Sequence, residues 1–347
     1  MRETKLTIIM YHYIRDLKKS RYPRIKGLDI HLFKEQLEYL KKHYNFVTIE
    51  QIIAAFNGKM DGENMLTGKG RGGLPPNPVL LTFDDAYIDH FINVFPALKK
   101  YHIQGAFYPP VKAITEHRVL DVNKIHFILA LTSEDKFPCL LNEIKQLLLK
   151  YQEEFDLRSF DYYFEKLATA NRFDNKETIF VKRLLQVELQ EKLRKQITDE
   201  LFANVVGIDE ESFSHELYMN IDQLQYMADC GMHVGSHGYD HLWLGTLNKE
   251  QQKYEIEKSR EFTQRINGNL NHWTISYPYG SYNEDTISLL KTYGCKLGLT
   301  TEVSLCSVSS VQDSIYKLPR LDTNDIPKDA NAVVNKWYVE SNDTNIA

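Results

Sequence analysis

Val79-Leu80-Leu81-Thr82-Phe83-Asp84-Asp85 is an apolar run that ends abruptly on two neighbouring carboxylates. A continuous apolar run of this length suits a strand covered on both faces, as in a parallel sheet, with the acids at its carboxyl end, where α/β folds carry their reacting groups. Helical spacing over residues 88–101 and a second apolar stretch, Gly105-Ala106-Phe107-Tyr108, follow. Strand, helix and strand in that order predict a parallel crossover. Upstream, Leu6-Thr7-Ile8-Ile9-Met10 reads as another strand, and Leu32, Phe33, Leu37 and Leu40 set a helical face. Phe46-Val47-Thr48 reads as a short strand, with Thr48 capping a helix that has Glu50 and Gln51 in its first turn. Residues 57–77, rich in Gly, Pro and charge, read as a surface loop.

Downstream, residues 119–220 carry long amphipathic patterns: Leu140, Ile144, Leu147, Leu148 and Tyr151, then Leu185, Leu189, Leu193, Ile197 and Leu201. These predict a helical insertion that packs its own apolar stripes. The α/β rhythm then resumes, with helices expected near 221–230, 248–266 and 284–293. Strands are expected at 233–235, 273–277, 297–300 and 316–318. The fold class is therefore α/β, a single domain over residues 1–347 with a helical insertion at 119–220 and no internal repeat.

Composition narrows the function. A net charge of -5 across 347 residues argues against a nucleic-acid partner, which needs a clustered basic surface. Lys18, Lys19 and Arg21 read as a solvated face. Cys139, Cys230, Cys295 and Cys306 are too scattered for a disulfide framework and are expected as free thiols. The apolar start of the chain is too short for a signal peptide, and no run approaches the length of a membrane span. The expectation is a cytoplasmic or membrane-peripheral protein with no integral membrane segment.

Three motifs carry chemistry. Adjacent Asp84 and Asp85 repel each other, which is relieved if one is neutralised on a cation while the other handles protons. Ser236-His237-Gly238-Tyr239-Asp240-His241 offers two imidazoles four residues apart, which a helical turn would bring to one face and one metal. Two histidines and a carboxylate form a common catalytic zinc set. Ser276-Tyr277-Pro278-Tyr279-Gly280, at another strand end, is suited to present a backbone N–H to a developing oxyanion.

Taken in order, these motifs resemble those of the polysaccharide deacetylase (NodB-homology) family: TFDD, a histidine pair after glycine-serine, and an R-x-P-Y segment. The resemblance spans about residues 79–280, interrupted by the helical insertion. It implies a distorted (β/α) barrel and a divalent metal, Zn²⁺ first, on Asp85, His237 and His241. It also implies Asp84 as general base and Tyr279 as backbone oxyanion donor, acting on an acetylated carbohydrate. The chain departs from the pattern at three places. Ser276 replaces the arginine that orients the base, Ala86 stands where glycine is common, and no histidine follows His272 to serve as acid. A permuted subgroup that includes poly-N-acetylglucosamine deacetylases carries the acid histidine in an N-terminal strand, and this chain looks similar. Ile8-Ile9-Met10-Tyr11-His12 ends in histidine, and Leu318-Pro319-Arg320-Leu321 supplies an arginine. His12 and Arg320 are thus the expected acid and base-orienting residues. The resemblance leaves open an O-acetyl esterase, another amidase, or a carbohydrate-binding protein that has lost catalysis. Tyr87, Tyr108, Tyr239 and Trp243 are candidates for stacking on sugar rings.

Overall fold

In the computed structural model the strand bearing the aspartates spans Pro78–Asp84, and every residue in it is buried. Residues 4–58, 73–171, 174–308 and 314–342 are described. Most of the loop expected at 57–77 lies outside the described residues. Thr4–Tyr11 pairs in parallel along one edge of the central strand, from Thr7 opposite Val79 to Tyr11 opposite Phe83. Gly105–Tyr108 pairs in parallel along the other edge, and His233–Val234 follows beyond it. Leu321–Asp322 adds in parallel to the far side of Thr4–Tyr11, whose first half pairs antiparallel with Cys306–Val308. That antiparallel strand was not expected from the sequence.

Ile275–Ser276 and Gly298–Leu299 form a separate parallel ladder. Single-residue bridges, Ser236 to Ile275 and Leu299 to Leu318, join this ladder to its neighbours. The ladders by themselves do not close a barrel. Among the described residues this ladder meets its neighbours only through these bridges, and its strands are two residues long. The segment expected as a strand at 316–318 is a 3-10 turn, Ser314–Tyr316, followed by the Leu318 bridge.

Alternation along the strands builds two apolar layers. Ile9, Leu81, Phe83, Phe107 and Val234 face the helices, packing with Phe33, Leu37, Leu40, Leu98, Leu224 and Met227. Leu6, Ile8, Leu80, Ala106 and Tyr108 point the other way, toward Leu297, Leu299 and Leu318. The helix Ile30–His43 starts at Asp29, whose carboxylate accepts from the His31 N–H, and Ile49–Phe56 starts in a Thr48–Gln51 capping box. Leu32 turns outward at 37% exposure while Gln36 is fully buried, accepting a 2.8 Å bond from the Tyr11 hydroxyl. The helix expected over 88–101 is divided into a π-turn, His90–Val94, and an α-helix, Phe95–Lys100. Trp273–Tyr277 contracts to Ile275–Ser276.

The described chain divides into two compact units: Met1–Asp16, Gly27–Glu116 and His215–Ala347 in one, Leu17–Lys26 and His117–Ser214 in the other. The second unit is helical, with Asp121–Leu131, Phe137–Lys150 and Glu191–Val205 as its longest elements. Its leucine ladder is buried but not continuous. A π-turn, Leu184–Glu188, runs into extended backbone at Leu189 before the next helix starts. Within it the buried Lys124 is paired with Asp199 and, at 2.8 Å, with Glu210.

Candidate active site

Asp84 is fixed by a residue from the far end of the chain. Arg320 is fully buried, and its guanidinium grips the carboxylate bidentately, Nη1 to Oδ1 at 3.1 Å and Nη2 to Oδ2 at 2.8 Å. Its remaining N–H groups reach the Thr300 carbonyl, the Thr82 hydroxyl and the Ser276 hydroxyl. Ser276 in turn donates to Asp84 Oδ2 at 3.1 Å. Ser276 therefore belongs to the carboxylate's support even though it is not an arginine. Burial raises the Asp84 pKa, but the Arg320 charge and hydrogen bonds more than offset this and hold it below the usual carboxylate value. Of the roughly four lone-pair sites on a carboxylate, three are taken by these donors.

Asp85 follows in left-handed backbone, φ 70°, and Ala86 shares that conformation at φ 52°. A glycine would adopt it without the Cβ penalty, so the chain turns the second carboxylate away from the first at a steric cost. Tyr87 donates to Asp85 Oδ2 at 2.6 Å. The other oxygen, Oδ1, is buried and has no hydrogen-bond partner among the described residues. It lies 3.4 Å from His237 Nε2 and 3.5 Å from His241 Nε2, and the three ligand atoms fall within 4.8 Å of one another. His237 Nδ1 donates to the Ser276 carbonyl at 2.7 Å, which leaves its Nε2 as a lone pair in the neutral ring. Burial and the neighbouring His237 push the His241 pKa down to about 3, so that ring is neutral, whereas at His237 burial is outweighed by Asp84 and Asp85, which raise its pKa. Burial works against the Asp85 charge, yet the imidazoles hold its pKa well below the usual range. Lone pairs converging on an orphaned carboxylate oxygen are unfavourable without a cation between them. One carboxylate oxygen and two imidazole nitrogens fit a divalent transition metal.

The histidine pair does not lie on a helical turn, as its spacing suggested. It spans an irregular loop in which Gly238 and His241 both have positive φ, 74° and 55°, and the ring centroids approach to 4.7 Å. The loop is held by Glu255 of the helix Lys249–Asn267, whose Oε2 accepts from the Tyr239 and Asp240 N–H groups at 2.8 and 3.0 Å. Burial pushes the Glu255 carboxyl up to about 7. An acid in phase with buried Gln252, Ile256 and Ser259 was the legible signal for this residue. Glu255→Ala is expected to weaken metal binding about 10- to 100-fold, the usual effect of losing an outer-shell support. Competition with a chromophoric chelator measures it, and wild-type affinity would remove Glu255 from this role.

Tyr279 sits in left-handed backbone, φ 56°, in the turn Pro278–Gly280. Its ring stands edge-on to His241 with centroids 4.7 Å apart and stacks on Trp243 at 4.3 Å. His12, half-buried just past the end of Thr4–Tyr11, lies close enough to Asp84, Asp85 and His241 to bear on the charge of all three. All seven residues singled out from the sequence thus belong to one neighbourhood. Tyr87 and Tyr108 are fully buried, so neither offers a face to a sugar. Tyr87 instead holds Asp85, which the sequence reading missed.

A parallel α/β framework with a carboxylate, two imidazoles and an arginine-held second carboxylate at its strand ends defines a class: α/β proteins with a candidate mononuclear metal centre. The family model for polysaccharide deacetylase matches residues 161–298, a range that includes both histidines and Tyr279 but not the aspartates, His12 or Arg320. A protein of Bacillus subtilis (strain 168), named "Putative polysaccharide deacetylase YxkH", is 34% identical over 114 residues. That alignment covers 32% of this chain and 38% of that protein, so the chain spans well under half the length of the curated relative it matches. Among solved structures, the Streptococcus pyogenes deacetylase PplD, in complex with acetate, superimposes with a TM-score of 0.54 at 17% identity, covering 92% of each chain. IcaB from Ammonifex degensii gives 0.52 at 17%, covering 93% of each. At this identity the two structures show a shared fold. The sequence matches thus make residues 161–298 similar to polysaccharide deacetylases, and the solved structures show that the chain shares their fold. No helix of the described residues is long and apolar enough to cross a membrane.

Proposed function

We propose that the chain hydrolyses the N-acetyl amide of an acetylated sugar, in a polysaccharide, oligosaccharide or glycan precursor, releasing acetate and a free amine. The observation that carries this reading is the orphaned Asp85 Oδ1 facing two imidazole nitrogens. Asp85, His237 and His241 would hold the divalent metal, with Zn²⁺ the first choice for a donor set of two nitrogens and one oxygen. Such a metal supplies Lewis acidity and lowers the pKa of water toward neutrality.

The chain's own residues do the rest. Asp84, with one lone pair left, takes a proton from the attacking water, and Arg320 keeps that carboxylate ionised and aimed. The Tyr279 N–H, in its left-handed turn, would donate to the developing oxyanion. As the C–N bond breaks, the amine nitrogen leaves with a proton from His12, because an unprotonated amine is a poor leaving group. Arg320 takes the orienting place that Ser276 cannot, which supports catalysis over a binding-only protein. The pairing of an N-terminal histidine with a C-terminal arginine supports the permuted subgroup that includes poly-N-acetylglucosamine deacetylases.

Acetate release from N-acetylglucosamine oligomers, compared with an O-acetylated xylan fragment, tests the reading. Turnover of the amide is expected. Release from the ester alone would replace the proposal with an esterase, and release from neither would favour a binding protein. His12→Ala is expected to lower amide turnover about 10²- to 10⁴-fold, the usual value of a general acid, with metal content unchanged by elemental analysis. Full activity in that variant would sink the permuted assignment.

A further inference from the structure

His12 lies one residue beyond the last rung of its ladder, Tyr11 opposite Phe83, so the sheet does not fix its backbone. The backbone just beyond it is held on one side by a short parallel ladder, Ile14–Arg15 with Leu28–Asp29, and on the other by the segment that follows Asp85. His90 Nε2–H donates to the His12 carbonyl at 2.8 Å. Tyr13 stacks on Tyr87 with centroids 4.0 Å apart and planes 20° from parallel. Asn93 Nδ2 donates to the Ile14 carbonyl at 2.8 Å, and Arg15 Nε donates to Asp89 Oδ2 at 2.7 Å. Four consecutive residues, 12 to 15, are gripped by partners from a seven-residue stretch whose second half is the π-turn His90–Val94. π-turns recur where a helix is distorted to serve a site.

His90 is the member of that stretch that reaches His12 itself. Its ring is fully buried beside Phe83, Tyr87 and Phe107, and its Nδ1 has no hydrogen-bond partner among the described residues. An imidazole in such a place loses its hydration and recovers a single bond, the one to His12. A phenyl ring would fill the space without that loss.

We propose that His90 is a positioning residue: its Nε2–H anchors the His12 carbonyl and so sets where the His12 imidazole meets the leaving amine. The inference rests on reading His12 as the proton donor. It makes the Asp85-to-Val94 segment serve two ends of the reaction, since the chain that presents the metal carboxylate also locates the acid.

The test compares an N-acetylglucosamine oligomer with 4-nitrophenyl acetate, whose phenolate departs without being protonated. His90→Phe keeps the shape and removes the donor. Its turnover of the amide is expected to fall about 10- to 100-fold, the scale of a misplacement of roughly 1 Å, while KM, metal content and turnover of the activated ester change less than about threefold. His90→Gln places an N–H near the same point and is expected to recover most of the amide rate. If His90→Phe does not fold, Asn93→Ala, which releases the Ile14 carbonyl from a half-buried position, should show the same preference for amide loss in smaller degree. Equal losses on both substrates, or none on either, would overturn the inference while leaving the deacetylase reading intact. Absence of amide turnover in the wild type would overturn both.

Discussion

Arg320→Met is expected to abolish measurable deacetylation and to lower stability by about 3–5 kcal/mol at neutral pH, the usual result of stripping one partner from a buried ion pair. Arg320 is fully buried, and Asp84 is 1% exposed, so water cannot replace the lost donors. The pH dependence separates this cause from simple loss of packing. In the wild type the Asp84 pKa is held below its unfolded value. Its contribution to stability is therefore complete above the unfolded carboxylate pKa and is lost as pH falls through the depressed folded value. Without the guanidinium, burial dominates and raises the Asp84 pKa. The variant's carboxyl is then easiest to tolerate when protonated, so its deficit against wild type should shrink as pH falls toward 4. Urea denaturation at pH 7 and at pH 4 measures this. A deficit of the same size at both values would mean that Arg320 acts by filling space. Arg320→Lys should recover only part of the stability and little of the activity, because an ammonium cannot reproduce the two-pronged grip or reach Thr300, Thr82 and Ser276 together.

The parts of this architecture legible in the sequence are those set by local chemistry. The Pro78–Asp84 strand announces itself because a strand buried on both faces must be apolar throughout, and the Thr48 cap because a side-chain oxygen must meet a bare N–H. The candidate metal set was legible through residue type, a carboxylate and two imidazoles at strand ends. The loop conformation of the histidine pair was not. Spacing of four suits a helix equally well, and what overrides it is Glu255, eighteen residues after His237, accepting the Tyr239 and Asp240 amides. Arg320 could be matched to Asp84 only through the family resemblance, because nothing in its neighbours tells which of many arginines will be buried against residue 84. Tyr87 was legible only as a candidate for sugar stacking and His90 not at all, since their value lies in one hydrogen bond each to a partner that only the folded chain brings near. Short strands were the least legible. Ladders two residues long, such as His233–Val234 and Ile275–Ser276, carry too little periodicity to fix their ends.

Removal of metal should have an effect as large as the loss of Arg320, and it should be reversible. Dialysis of the protein against a chelator is expected to eliminate acetate release and lower Tm, and stoichiometric Zn²⁺ should restore both. A ligand present at a thousand times its dissociation constant stabilises the folded state by about 4 kcal/mol. Here the gain has an identifiable source: the cation gives a partner to the buried Asp85 Oδ1, which otherwise has none, and satisfies two imidazole lone pairs at once. Asp85→Asn keeps the size and, with its carbonyl oxygen turned to Tyr87, an acceptor for that hydroxyl, but removes the charge that would bind the metal. Its activity should fall on the order of a thousandfold, equivalent to the several kcal/mol a Lewis acid supplies to such a step. Its Tm should also become indifferent to added Zn²⁺. Differential scanning calorimetry of both proteins with and without metal decides the matter, because the quantity of interest is the difference of differences. If the wild type gains nothing from Zn²⁺, the Asp85, His237 and His241 cluster is not a metal site. If the variant gains as much as the wild type, the metal binds elsewhere, and Asp85 owes its burial to the Tyr87 bond alone.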